Sequence, residues 1–142
     1  MPRDKDVTAV LTEGLQFDVT GTSGFLVHLD GEAKTAMSSM ELVLAGLAGC
    51  TGSDVISILR KKRQDVTGLE VKVHGRRAEE HPRRYTHIEI TFVVTGRNVD
   101  PEAVRRAIEL SQTKYCSVSA SLRGSANITT RYEIREAESV PA

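Results

Sequence analysis

Two cysteines carry the most reactive chemistry in the chain. Cys50 sits in Leu47-Ala48-Gly49-Cys50-Thr51-Gly52, between two glycines and inside the most apolar segment; Cys116 follows 66 positions later, in Thr113-Lys114-Tyr115-Cys116-Ser117. A thiol can be a nucleophile, half of a redox pair, a metal ligand or a small core filler. There is no Cys-x-x-Cys, so a thioredoxin-like site is not expected. His28, His74, His81 and His87 are scattered without zinc-ligand spacing, and they support no metal site. Ser38, Ser39, Ser53 and Ser57 lie in no Gly-x-Ser-x-Gly, and residues 21–24 (GTSG) match neither phosphate-binding fingerprint. Glu41 is a candidate functional carboxylate, but Ser38-Ser39-Met40-Glu41 is also a capping box, which accounts for it structurally. Spacing alone leaves filler, redox pair and metal fragment open for the cysteines. Gly46 and Gly49 each cost a helix about 1 kcal/mol relative to Ala, which predicts that another backbone or a substrate comes close beside Cys50.

The elements that must position these residues follow from periodicity. Val7 to Thr12, Leu15 to Val19 and Phe25 to Leu29 read as three short strands of an N-terminal antiparallel meander, with turns at Glu13-Gly14, Ser23-Gly24 and Asp30-Gly31. The period then changes to that of a helix running from about Ser39 to Lys62, apolar on nearly every side in its first half and ended by basic residues. A helix of that kind is buried all round, and a single small domain has few ways to wrap one, so a second subunit is expected to cover part of it. Leu69, Val71 and Val73 alternate in a strand, as do Ile88, Ile90, Phe92 and Val94, with residues 78–84 as a hairpin connection. Asp100-Pro101-Glu102 opens a helix reaching about Lys114. Cys116 to Leu122 is a further short helix, and Ile128 to Ile134 a last strand. The order predicts an α+β fold, one domain over residues 1–142.

Composition narrows the function. Nineteen basic residues balance nineteen acidic ones, with no field to gather nucleic acid or an anionic membrane. The apolar run from Met40 to Leu59 is long enough to span a bilayer, but Glu41, Asp54 and three glycines argue against it. The opening residues, MPRDKDVT, lack a signal peptide's apolar region. A cytoplasmic protein is expected, in which two distant cysteines do not form a static staple.

Residues 38–56 (SSMELVLAGLAGCTGSDVI) and 113–120 (TKYCSVSA), at their separation, resemble the OsmC/Ohr family, in element order over nearly the whole chain. The resemblance implies an intertwined homodimer: two sheets around long central helices, with the active site at the subunit interface. It implies thiol-dependent reduction of hydroperoxides, preferring organic ones, in oxidative-stress defence. Cys50 would attack the peroxide and become a sulfenic acid; Cys116 would close a disulfide with it; an external dithiol would reset the pair. No metal or organic cofactor is implied.

Two departures from the family pattern stand out. The family's peroxidases hold the thiolate and the peroxide with an arginine from the N-terminal strands, whereas residues 7–31 here contain no Arg or Lys. They also use a glutamate ten positions before the reactive cysteine. Met40 holds that place, with Glu41 one position on, a rotation of about 100° along a helix. Arg60, Arg76, Arg84 or a partner's arginine are candidates for the missing cation. The alternative reading is a binding module or redox sensor on the same scaffold, holding a small lipid-like ligand without turnover.

Overall fold

The computed structural model describes residues 3–138. Its compact units are two, one up to Val43 and one from Leu44 onward.

The first unit holds the meander: β1 (Val7–Glu13), β2 (Gln16–Gly21) and β3 (Leu26–Asp30), antiparallel in that order. Gly14 supplies the positive φ of 52° that the first turn demands. Across β2 and β3, Asp18 faces His28, and His28 Nδ1 bonds the carboxylate at 2.7 Å. The turn after β3 is organised by Asp30. Its carboxylate accepts from the backbone N–H groups of Glu32, Lys34 and Thr35 and from the Thr35 hydroxyl, at 2.9 to 3.2 Å. These donors hold the Asp30 carboxyl down at about 2, against a usual 3.8. Each predicted strand is present, shifted by one or two residues.

Helix α1 (Ser39–Lys61) starts where the capping box placed it. Glu41 N–H donates to Ser38 Oγ at 3.3 Å, and the Ser38 hydroxyl and N–H reach back to Glu41 Oε1 at 3.1 and 3.3 Å. It ends at Arg63, whose φ of 57° turns the chain out of the helix.

In the second unit the helix buries one face. Leu47, Thr51, Val55 and Leu59, each four residues apart, are fully buried. Leu44, Ala45, Ala48 and Cys50 are only half-buried, and Gly46 and Gly49 are exposed. Burial on all sides is therefore not achieved within one chain. Nor does anything approach Gly46 or Gly49: a Cβ at either would meet no atom within 4 Å. The close approach occurs at Gly52, where a Cβ would stand 3.2 Å from a Val71 methyl as the helix crosses the sheet.

That sheet contains β4 (Asp65–Arg77), β5 (Tyr85–Arg97) and β6 (Asn127–Glu136). β4 and β5 form a long antiparallel hairpin closed by residues 78–84, with a cis His81–Pro82 bond. Ile88, Ile90, Phe92 and Val94 put the predicted alternation into the core, all at 0 or 1 % exposure. β6 pairs with β5 in parallel, a pairing that two helices between the strands make possible. The first of these, α2 (Pro101–Leu110), is capped by Asp100, whose side chain accepts from Glu102 N–H at 3.0 Å. It turns Ala103, Val104, Ala107 and Ile108 inward. It does not continue as an α-helix to Lys114. Residues Ser111–Tyr115 widen into a π turn, closed by Cys116 N–H on Ser111 C=O at 2.7 Å. α3 (Ser117–Leu122) follows, with Cys116 as its N-cap.

Candidate functional site

The π turn and α1 bring the two cysteines together. Cys50 lies mid-helix on α1, half-buried; Cys116 lies at the exit of the π turn, 3 % exposed. Their sulfurs and a carboxylate oxygen of Asp54 all lie within 4.8 Å of one another. Asp54 follows Cys50 by four residues, one helical turn, so the two side chains share a face. Both cysteines are free thiols.

A chain of hydrogen bonds fixes this cluster. Ser111 Oγ donates to Asp54 Oδ2 at 2.9 Å. A hydroxyl has one proton to give, so Thr51 Oγ1, 2.8 Å from Ser111 Oγ, is the donor in their contact. Gln112 Nε2 donates to Thr51 Oγ1 at 3.1 Å, and Ser119 Oγ donates to Gln112 Oε1 at 3.0 Å. Ser119 N–H then donates to Cys116 Sγ at 3.4 Å. Arg123 holds the backbone carbonyl of Gln112. The network runs from the carboxylate to the second thiol through α1, the π turn and α3. Thr51, Ser111 and Ser119 are fully buried, and no fully buried side-chain polar atom among the described residues lacks a partner. The π turn is what lets Ser111 and Gln112 both face α1: an extra residue in the turn changes the angular spacing of the side chains.

Cys50 is under opposing influences. Burial pushes its thiol up from the usual value. The N–H of Val118 pulls it down, the neighbouring Cys116 thiol raises it by hydrogen bond and by charge, and the N–H of Ser117 lowers it again. The net direction is upward, so the thiol is mostly protonated at neutral pH. None of the groups acting most strongly on it is a lysine or arginine. Of the arginines considered from sequence, Arg84 is committed elsewhere, donating to Ser125 C=O at 2.8 Å.

Of the three residues singled out from sequence, Cys50 and Cys116 meet, while the Glu41 carboxylate is engaged by its cap. Sequence reasoning missed Asp54, Thr51, Ser111, Gln112 and Ser119. The helical spacing of Asp54 from Cys50 was a usable signal; nothing local marked the other four. On the Asp54 side, a cavity of about 360 Å³ opens between Asp54, Ile58, Lys61, Leu110 and Tyr115.

Residues 31–131 match the family model described as OsmC-like protein. Protein YhfA of Escherichia coli K12 is 48% identical over 123 residues, 86% of this chain and 92% of the relative. Among solved structures, a hypothetical protein of Aquifex aeolicus VF5 is 33% identical with a TM-score of 0.87, covering 96% of this chain and all of the other. The organic hydroperoxide resistance protein OhrB of Bacillus subtilis shares the fold at 20% identity and a TM-score of 0.61, over 92% of this chain and 98% of that one.

Proposed function

The chain belongs to the OsmC-like family, and from that premise we propose that it is a thiol-dependent peroxidase acting on organic hydroperoxides in oxidative-stress defence. The observation that carries the reading is the meeting of Cys50 and Cys116, from positions 66 apart, with free sulfurs within 4.8 Å. Two thiols at that range can be oxidised together after side-chain movement alone. OhrB, named for hydroperoxide resistance, has the same fold.

The chemistry divides between the two thiols. Cys50 is half-buried and reachable; as thiolate it attacks the distal peroxide oxygen, the O–O bond breaks, and the alkoxide leaves as the alcohol after taking a proton. Cys50 is then a sulfenic acid. Cys116, buried beside it, gives up its proton and attacks the Cys50 sulfur, releasing water and forming the disulfide. An external dithiol reduces the disulfide by exchange. Val118 and Ser117 N–H stabilise the Cys50 thiolate in place of the missing strand arginine.

The protein acts as a homodimer in the cytoplasm. The half-buried flank of α1 around Leu44 to Cys50 and the exposed apolar residues of the meander are the surfaces a second copy covers.

A second reading has its own support. With the Cys50 thiol raised and no basic side chain among the groups acting most strongly on it, the same site serves a non-catalytic protein that holds an apolar small molecule or senses oxidants slowly.

Stopped-flow mixing of reduced protein with cumene hydroperoxide, counting thiols before and after, separates the two. The peroxidase loses two thiols per chain rapidly, and Cys50→Ser loses none; Cys116→Ser performs one turnover and retains a sulfenate. The rate should rise about tenfold per pH unit through neutrality, because only the thiolate reacts and its pKa lies higher. Normal turnover by Cys50→Ser would end this reading, and no reaction over minutes would favour the ligand-binding one.

A further inference from the structure

The proposed redox pair leaves one feature of the cluster unused. Asp54 brings a carboxylate to within 4.8 Å of both sulfurs. Peroxide reduction by two thiols gives it no bond to make or break. Among the described residues Asp54 forms no ion pair with a lysine or arginine. Two thiols and a carboxylate thus converge with no lysine or arginine in ion-pair contact with that carboxylate.

We infer that Cys50, Asp54 and Cys116 form a binding site for a divalent zinc ion in the reduced protein. The donor set is right: two thiolates and one carboxylate suit zinc, with water as fourth ligand. So is the size. Tetrahedral zinc with Zn–S of about 2.3 Å separates its sulfurs by about 3.8 Å. Donor atoms already within 4.8 Å reach that spacing by side-chain shifts on the order of 1 Å. The supports are also in place. Ser111 Oγ orients the carboxylate through Oδ2 and leaves it other lone pairs. Val118 and Ser117 N–H face the Cys50 sulfur, and Ser119 N–H faces the Cys116 sulfur. Such donors stabilise metal-bound thiolates without competing for the metal.

Binding replaces two S–H bonds with two Zn–S bonds and releases two protons to solvent; the carboxylate contributes a lone pair. The zinc form has neither thiolate free to attack a peroxide, and the disulfide form has no thiolate to hold zinc. Metal and oxidation therefore exclude each other at this site. The inference does not depend on peroxidase activity: zinc binding is read without peroxide, and turnover is read on chelator-treated protein.

The test is titration of reduced, chelator-stripped full-length protein with Zn²⁺ against a chromophoric chelator, with proton release followed in weak buffer. Co²⁺ substitution is followed by absorption. Expected are one zinc per chain, two protons released, and a cobalt spectrum with thiolate charge-transfer bands and intense tetrahedral d–d bands. Asp54→Asn should weaken zinc by about tenfold or more, and prior oxidation with diamide should abolish binding. Cys50→Ser/Cys116→Ser should bind no more than the diamide-treated protein. Equal affinity in wild type and Asp54→Asn, or in wild type and the double variant, overturns the three-donor site. Should a variant lose its far-ultraviolet circular dichroism, the wild-type cobalt spectrum decides alone: absence of thiolate charge transfer overturns the inference.

Discussion

The two units treat similar side chains in opposite ways. From Leu44 onward the chain makes a core of its own: Phe92 is fully buried, as are Ile88, Ile90, Val94, Leu47 and Val55, all at 0 or 1 % exposure. Before Val43, Phe25 is 80 % exposed, and Val7, Val10, Leu11 and Leu26 are more than half exposed. Both units contain a three-stranded sheet. Only one has helices packed on it within its own unit, and a small sheet gains stability only by covering an apolar face. The second unit is thus a self-sufficient scaffold that also holds both thiols. The first is a sheet whose apolar side chains its own unit leaves uncovered.

The largest effect expected from breaking this contrast is at the aromatic pair. Phe92→Ala should cost about 3–5 kcal/mol, read from urea unfolding. Phe25→Ala, at protein concentrations dilute enough for monomer, should stay within about 0.5 kcal/mol. At higher concentration Phe25→Asp should reduce self-association in sedimentation equilibrium. Equal costs for Phe92→Ala and Phe25→Ala in dilute protein would show that the meander has a core after all.

A smaller effect lies within the second unit. Ser111→Ala removes the hydroxyl between Thr51 and Asp54 and leaves buried polar groups short of a partner, at about 1–3 kcal/mol. Because the network that contains Ser111 ends on the Cys116 sulfur, the variant should also slow the closing of the Cys50–Cys116 disulfide more than the first attack on peroxide. Single-turnover thiol counts with dimedone trapping of the sulfenate measure that split. Unchanged stability would mean that the network carries no load.

The smallest effect is local to the first unit and appears only in acid. Asp30 is held down at about 2 by donors that need its ionised form, so it contributes stability fully above its usual 3.8. That contribution fades as pH falls from there to about 2. Asp30→Asn should flatten this acid limb while leaving the thiol chemistry of Cys50 untouched. Intrinsic tyrosine fluorescence is blind to a region without tyrosine, so amide exchange at Glu32, Lys34 and Thr35 is the suitable probe. An unaltered acid limb in Asp30→Asn would remove the carboxylate from the account.

Much of this architecture is local in origin and was legible as such. The capping box Ser38/Glu41 sets the start of α1, Asp100 and Pro101 set the start of α2, and the alternation Ile88-Ile90-Phe92-Val94 identifies the buried face of β5. In each case a residue acts on neighbours two to four positions away, so type and spacing are enough. The limits appear where a turn or a contact depends on distant residues. The sequence continued α2 to Lys114; the structure opens its last turn into a π turn at Ser111–Tyr115, where Ser111 and Gln112 are held by Thr51 and Asp54, some 60 positions earlier in the chain. Gly46 and Gly49 suggested a close approach that one chain does not make, because they lie on the exposed flank of α1 rather than over Val71.

By itself, then, the sequence determined the α+β element order, the helix starts and the presence of two cysteines in the family's pattern, all consequences of short-range backbone and side-chain preferences. Tertiary structure decided that β6 runs parallel to β5, that Cys116 arrives beside Cys50, and that Asp54 completes a three-donor cluster with them. Those outcomes follow from packing α1 against both the sheet and the π turn, and no periodicity in the chain encodes which distant side chains such packing will bring together.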